Sequence, residues 1–375
     1  MKIVYCIASL HNPGGMESVL TAKANYLASL PDYELHIVTR EGADQPFFPL
    51  SEKISLHELH TTNKHDYRRA LEKKLFEIRP DITISLFGDE RSFLYRIKDG
   101  SRKIIEFHYS RNYLIHLVQG IAKMKFRRLH LLKAYLRRIQ DRFYIGRYDQ
   151  AVLLTHRDYE LWGGAGKNMC WIPNPLTFHT ERCADTSVRK IIAVGRYTPQ
   201  KGFDLLIEAF SRTVEEFPDW ELSIFGDGAE RNRLQKMIDT KNLTERVHLE
   251  YPSHQITDEM LRGSLFAFPS RYEGFGLVLL EAMQCGLPSV AFDCECGPSE
   301  IIQEGLTGYL VTPGDTETFA RAMKKLMADP EERKHMGLAA KAASENFRIE
   351  KIMQNWIKLF GEIATPKSQH LELGK

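Results

Sequence analysis

Glu273 and Glu281 stand with seven residues between them, and Gly274 and Gly276 lie inside that interval. Two carboxylates at different depths of one turn can accept hydrogen bonds from hydroxyl groups, while the glycines let a ligand approach bare backbone. The run that follows, from Leu277 to Met283, has the composition of a buried helix. Its first N–H groups and its dipole would favour an anion at the same turn. Arg196 and Lys201, in GRYTPQKG, add a planar fork and a point charge on one loop, which suits a diphosphate. His108 ends the apolar run 103–107. An imidazole there can hydrogen-bond a sugar hydroxyl or meet a developing positive charge. Each residue also has a plainer reading: a surface Glu273, a Glu281 set against the helix dipole, a solvated Lys201, a core-capping His108.

Those side chains need strand ends to hold them. Leu265 to Phe268 is a short apolar run ending in Pro269-Ser270, Lys190 to Val194 leads into Gly195-Arg196, and Glu221 to Phe225 closes on Gly226. Upstream, Lys2 to Ser9 reads as a strand, Pro13-Gly14-Gly15 as a turn, and Met16 to Leu30 as a helix. This is the opening of a nucleotide-type βαβ unit without the full G-x-G-x-x-G, so a plain tight turn stays open for Gly14-Gly15. Strand-like runs at 34–39, 81–87, 103–107 and 151–155 alternate with helical ones, which predicts a parallel doubly wound sheet. Residues 178–187 read as a linker, and a second βαβ series follows. The expected domains are 1–177 and 188–345, with an amphipathic helix at 346–363 around Ile352, Trp356, Leu359 and Phe360.

With Gly274-Phe275-Gly276 inside the glutamate pair, then Gly286-Leu-Pro and Gly297-Pro-Ser-Glu300, the chain resembles family 4 of the retaining GT-B glycosyltransferases. That resemblance implies two Rossmann-like domains facing each other across a cleft, with the terminal helix returning to the first. It implies that Glu273 and the backbone of Gly274, Phe275, Gly276 and Leu277 hold the donor sugar and diphosphate, that Glu281 holds the ribose, and that Arg196 and Lys201 lie on the phosphates. By the same token His108 contacts the sugar, Gly14 and Gly15 face the diphosphate with Glu17 on the acceptor side, Gly226 borders the cleft, and the strand 247–251 reads the base. The activity implied is retaining hexosyl transfer from a nucleotide-diphosphate sugar, with uridine the commonest nucleotide, to a glycan or lipid-linked acceptor in bacterial exopolysaccharide or lipopolysaccharide assembly. Neither metal nor other cofactor is expected, for the chain offers no DxD cluster. A nucleotide-sugar epimerase or phosphorylase of similar architecture, and a catalytically silent sugar-nucleotide module, are the competing classes.

Composition agrees with a globular chain: 375 residues, 43% apolar, 27% charged, net charge +2. That balance gives no sign of nucleic-acid binding. The six scattered cysteines read as free thiols, Cys294-Glu-Cys296 lacks zinc spacing, and His57, His60 and His65 read as solvated loop residues. MKIVYCIASL reads as a first buried strand rather than a leader, and no apolar run reaches the ~18 residues of a spanning helix. The expected location is the cytoplasm, with peripheral attachment to the inner membrane face as an alternative. The local exception to the charge balance is 121–147, where Lys123, Lys125, Arg127, Arg128, Lys133, Arg137, Arg138, Arg142 and Arg147 face one acid, Asp141. Leu129, Leu132, Leu136, Ile139 and Phe143 recur at helical spacing there, so the expectation is a helix whose apolar seam packs on the domain. Its cations would meet anionic lipid or acceptor pyrophosphate, or simply solvent.

Overall fold

A computed structural model describes residues 1–42, 45–120, 126–164, 168–253 and 255–364. Lys123 and Lys125 of the basic stretch, and the tail 366–375, lie outside the described residues.

Seven strands form the first sheet: β1 (Lys2–Ile7), β2 (Glu34–Thr39), β3 (Ile54–Glu58), β4 (Ile82–Ser85), β5 (Arg102–Glu106), β6 (Gln150–Leu153) and β7 (Met169–Trp171). Helices α1 (Gly15–Ser29), α2 (Lys64–Ile78), α3 (Tyr113–Gly120), α4 (Arg127–Ile145) and α5 (His156–Leu161) fall between them. The second sheet holds β8 (Lys190–Val194), β9 (Glu221–Phe225), β10 (Val247–Glu250), β11 (Leu265–Phe268), β12 (Ser289–Phe292) and β13 (Gly308–Val311). Its helices are α6 (Phe203–Ser211), α7 (Arg231–Thr240), α8 (Ile256–Leu261), α9 (Leu277–Gln284), α10 (Pro298–Ile301), α11 (Thr316–Ala328) and α12 (Pro330–Ser344), and α13 (Ile349–Ala364) ends the described chain.

The strand orders are β3-β2-β1-β4-β5-β6-β7 and β10-β9-β8-β11-β12-β13, parallel throughout. Both are doubly wound Rossmann-like sheets, as the alternating pattern predicts. In each the order reverses beside the first strand, between β1 and β4 and again between β8 and β11. Ligands of such sheets settle at the carboxyl ends of the strands flanking that reversal.

Alternation along β1 sends Ile3, Tyr5 and Ile7 into one core and Val4 and Cys6 into the other, so this strand is apolar on both faces. Ile352, Met353, Trp356 and Phe360 of α13 complete the first of those cores. The second sheet packs around Ile191, Phe210, Leu265 and Phe319.

Two compact units emerge: Met1–His108 with Leu136–Thr177 and Phe347–Lys375, and Tyr109–Tyr135 with Phe178–Asn346. The stretch 109–135, expected in the first domain, groups with the second.

Two sequence expectations are corrected. His57 is a member of β3, half-buried and hydrogen-bonded to His36 at 3.0 Å, because the run ISLHE pairs with β2. The apolar seam of α4 does not pack on the domain: Leu129, Leu132, Leu136, Ile139 and Phe143 are 48–65% exposed. The side turned to the protein carries Ala134, Asp141, Tyr144 and Ile145 instead.

Candidate functional site

The loops after β8 and β11 carry the candidate side chains of the second unit, and hydrogen bonds lace them together. Arg271 N–H donates to the Gln200 carbonyl at 2.8 Å, the Gln200 amide nitrogen donates to the Tyr272 carbonyl at 3.0 Å, and the Arg271 guanidinium holds both oxygens of Asp204 at 2.9 Å. Lys201 therefore closes a short turn, Pro199–Lys201, directly beside Glu273. Lys201 Nζ donates to Glu273 Oε1 at 2.7 Å, with side-chain exposures of 17% and 9%. Sequence reasoning treated these two as separate contacts on separate loops, and the fold makes them an ion pair.

Gly276 then caps α9 at φ +98°, a conformation that favours glycine. The Leu277 and Val278 amides open that helix and have no partner within it. Phe275 is buried, while Gly274 and Leu277 are half-buried. Glu281 lies one turn into α9, half-buried, where its charge adds to burial in pushing the Cys285 thiol up to about 12. Tyr197 hydrogen-bonds the Ile224 and Glu250 carbonyls, tying the β8 loop to β9 and β10 and leaving Arg196 exposed beside it. Gly226 is required by proximity: a Cβ there would sit 1.9 Å from the Gly195 carbonyl oxygen.

Tyr272 and Cys294 report the local field. Burial raises both hydroxyl and thiol above their ordinary range, and the Glu273 charge adds to each. Lys201 offsets part of the effect on Cys294, and Arg196 part of that on Tyr272.

A second set of partners was not foreseen. The His116 ring of α3 stacks on Tyr272 at 5.5 Å between centroids, its Nε2 lies 3.2 Å from Glu295 Oε2, and the Asn112 amide nitrogen donates to Glu295 Oε1 at 2.7 Å. The available signal was a charged Glu295 set between two cysteines.

In the first unit, His108 follows β5 and its side chain is 6% exposed, with Nε2 3.4 Å from Glu106 Oε1. Burial lowers its pKa to about 4; the Glu106 charge opposes this and the Lys23 charge adds to it. The imidazole is thus a neutral hydrogen-bonding group at neutral pH. Lys23 of α1 holds both Glu106 oxygens at 2.7 and 2.8 Å, each side chain 1% exposed, and its Nζ sits 3.7 Å from the centre of the Trp356 ring. A lone lysine inside the apolar run VLTAKANYL, and a glutamate ending KIIE, were the sequence signs of this pair. Gly14 caps α1 and Gly15 begins it; Glu17 is buried in the first turn, folded so that a Cβ on Gly14 would lie 2.2 Å from its carboxylate. Among the described residues, no three His, Cys, Asp or Glu converge as a metal donor set.

Two parallel doubly wound sheets, with a cation–carboxylate pair where strand meets helix at the reversal of strand order, put that pair where open α/β sheets take their ligands. Residues 179–343 match the model of the glycosyl transferases group 1 family. It is 31% identical, over 97% of its length, to an exopolysaccharide phosphotransferase of Streptomyces coelicolor, of which it spans only 41%. It is 29% identical to an amylovoran biosynthesis glycosyltransferase of Erwinia amylovora, over 95% of this chain and 98% of that one. Among solved structures, a TarM mutant from Staphylococcus aureus, in complex with fondaparinux, alpha-GlcNAc-glycerol and UDP, superposes with a TM-score of 0.77 at 17% identity, over 96% of this chain and 99% of that one. The fold is the GT-B type, with two parallel-sheet Rossmann-like domains.

Proposed function

We propose that the protein transfers a hexose from a nucleotide-diphosphate sugar to a membrane-associated glycan or glycolipid acceptor during bacterial surface-polysaccharide assembly, with retention at the anomeric carbon and without a metal. The observation that carries this reading is the Lys201–Glu273 pair at the amino end of α9. Departure of the nucleotide builds negative charge on the diphosphate. Lys201, Arg196 and the opening amides of α9 form a preorganised set of positive groups to receive it. Glu273 engages Lys201 through Oε1, and among the described residues its Oε2 takes no hydrogen bond, so a sugar hydroxyl can donate there.

Glu281 is assigned to the ribose hydroxyls. The base is assigned to the end of β10, where exposed Tyr251 stacks on the Arg231 guanidinium at 4.0 Å. His108, held neutral, donates to or accepts from a sugar hydroxyl, with Gly14 and Gly15 facing the donor diphosphate and Glu17 on the acceptor side. Uridine is the nucleotide favoured by the UDP in the TarM complex. The acceptor class is supported by the name of the amylovoran relative, and the cations of α4 are the proposed contact with the membrane that bears the acceptor.

The test is a thermal-shift screen of UDP-, GDP- and ADP-hexoses, followed by transfer to lipid-linked glycan acceptors in the presence of EDTA. NMR of the product anomer then reads the stereochemistry. Stabilisation by a nucleotide sugar and an α-linked product from an α-linked donor support the proposal. Loss of transfer on chelation would overturn the metal-free mechanism, and an inverted product the retaining one.

A further inference from the structure

α4 turns its apolar residues outward. At 100° per residue, Leu129, Leu132, Leu136, Ile139 and Phe143 fall within one stripe about 80° wide, centred opposite the buried Ala134 and Ile145. The stripe runs along about 21 Å of the helix axis. All five side chains are 48–65% exposed, as is Tyr135 at 43% on one border. Exposed Arg128 and Arg142 flank that border and exposed Lys133 the other, and among six Arg and Lys residues of the helix the single acid, Asp141, is buried on the inward side.

Scattered surface leucines need no partner, but a continuous apolar ridge with cations along both edges marks a contact surface. Its occupant must offer an apolar layer beneath negative charge. A second copy of this helix does not fit, since pairing two stripes would bring like charges together along both borders without an exposed acid of α4 to neutralise them. An anionic lipid bilayer does fit, with acyl chains under the ridge and phosphates beside arginine and lysine heads that reach up from aliphatic stems.

We propose that α4 is an interfacial anchor that lies parallel to an anionic membrane and buries Leu129, Leu132, Leu136, Ile139 and Phe143 among the acyl chains. This deepens the proposed function only in that it sets the enzyme at its acceptor's surface. Vesicle binding is measured without donor or acceptor, so the two readings fail separately.

The experiment uses the full chain with vesicles of phosphatidylglycerol and phosphatidylcholine, or of phosphatidylcholine alone, in a co-sedimentation assay. The wild type is expected to bind the anionic vesicles, more weakly as salt is raised. Leu136→Gln and Ile139→Gln are each expected to weaken binding about tenfold, with unchanged thermal unfolding because both sites are solvent-facing. Phe143→Trp is expected to shift its emission to the blue on binding and to be quenched by brominated acyl chains. Binding by wild type that both glutamine variants retain in full would leave only electrostatic apposition and overturn insertion. Absence of binding to anionic vesicles at low salt would overturn the anchor. A concentration-dependent dimer abolished by Leu136→Gln, without vesicle binding, would assign the ridge to self-association and overturn it equally.

Discussion

Lys201 Nζ and Glu273 Oε1 are 2.7 Å apart, although they belong to loops after different strands of the second sheet. The pair is set by the lacing of those loops through Arg271, Gln200 and Asp204, so each charge is positioned by the fold itself. Such preorganisation is what makes a cation effective toward charge that develops during reaction.

Lys201→Ala and Arg196→Ala are therefore each expected to lower turnover by about two decades, equivalent to roughly 3 kcal/mol of transition-state stabilisation. Because Lys201 also holds Glu273, Lys201→Ala with Glu273→Gln should lose less than the sum of the single effects. Steady-state rates with the donor found by screening check this; near-normal turnover in both alanine variants would refute the assignment.

Glu281→Ala should act on binding rather than on the chemical step. Losing a charge-assisted hydrogen bond to a ribose is worth about 1.5–3 kcal/mol, or roughly tenfold or more in nucleotide affinity. Calorimetric titration with UDP is the measurement, and an unchanged dissociation constant would remove Glu281 from the ribose.

The strand ends and the helix start that frame the candidate site were legible in local patterns. Short apolar runs ending in Gly195-Arg196, Gly226 and Pro269-Ser270 announce strand ends, and Gly276 before Leu277 announces a helix start. What the pattern withholds is which loop meets which. Lys201 meets Glu273, and His116 meets Tyr272, although they stand 72 and 156 positions apart in a chain that only the strand order brings together. The orientation of α4 was hidden for another reason. Periodicity shows that a helix has an apolar side but not that this side faces inward, and here Asp141, 3.5 Å from Arg91, and Tyr144 take the inward positions. A helix that turns its apolar side outward and one that turns it to the core carry the same stripe.

His108 gives a pH signature. Its folded pKa of about 4 lies below the ordinary 6.5, so the unfolded chain binds the extra proton between those values. Stability from the neutral imidazole is therefore complete above pH 6.5 and is lost as pH falls toward 4, by at most about 3 kcal/mol. His108→Gln should flatten the stability profile across that window in urea denaturation. A wild-type profile equally flat from pH 7 to 4.5 would contradict a buried neutral histidine.

The Lys23–Glu106 pair makes the sharpest stability test, because both charges are taken out of water with side chains 1% exposed. Removing one partner leaves the other buried without compensation, whereas replacing both removes the desolvation cost along with the attraction. Lys23→Met should therefore cost about 3–5 kcal/mol, with the loss of the Trp356 cation–π contact included, and Lys23→Met with Glu106→Gln should recover a large part of it. The midpoint and slope of urea unfolding for the wild type, both single variants and the double variant give the coupling directly. A double variant no more stable than Lys23→Met alone would mean that Glu106 is not left uncompensated when Lys23 is removed, and the pair would then not be what ties α1 to β5.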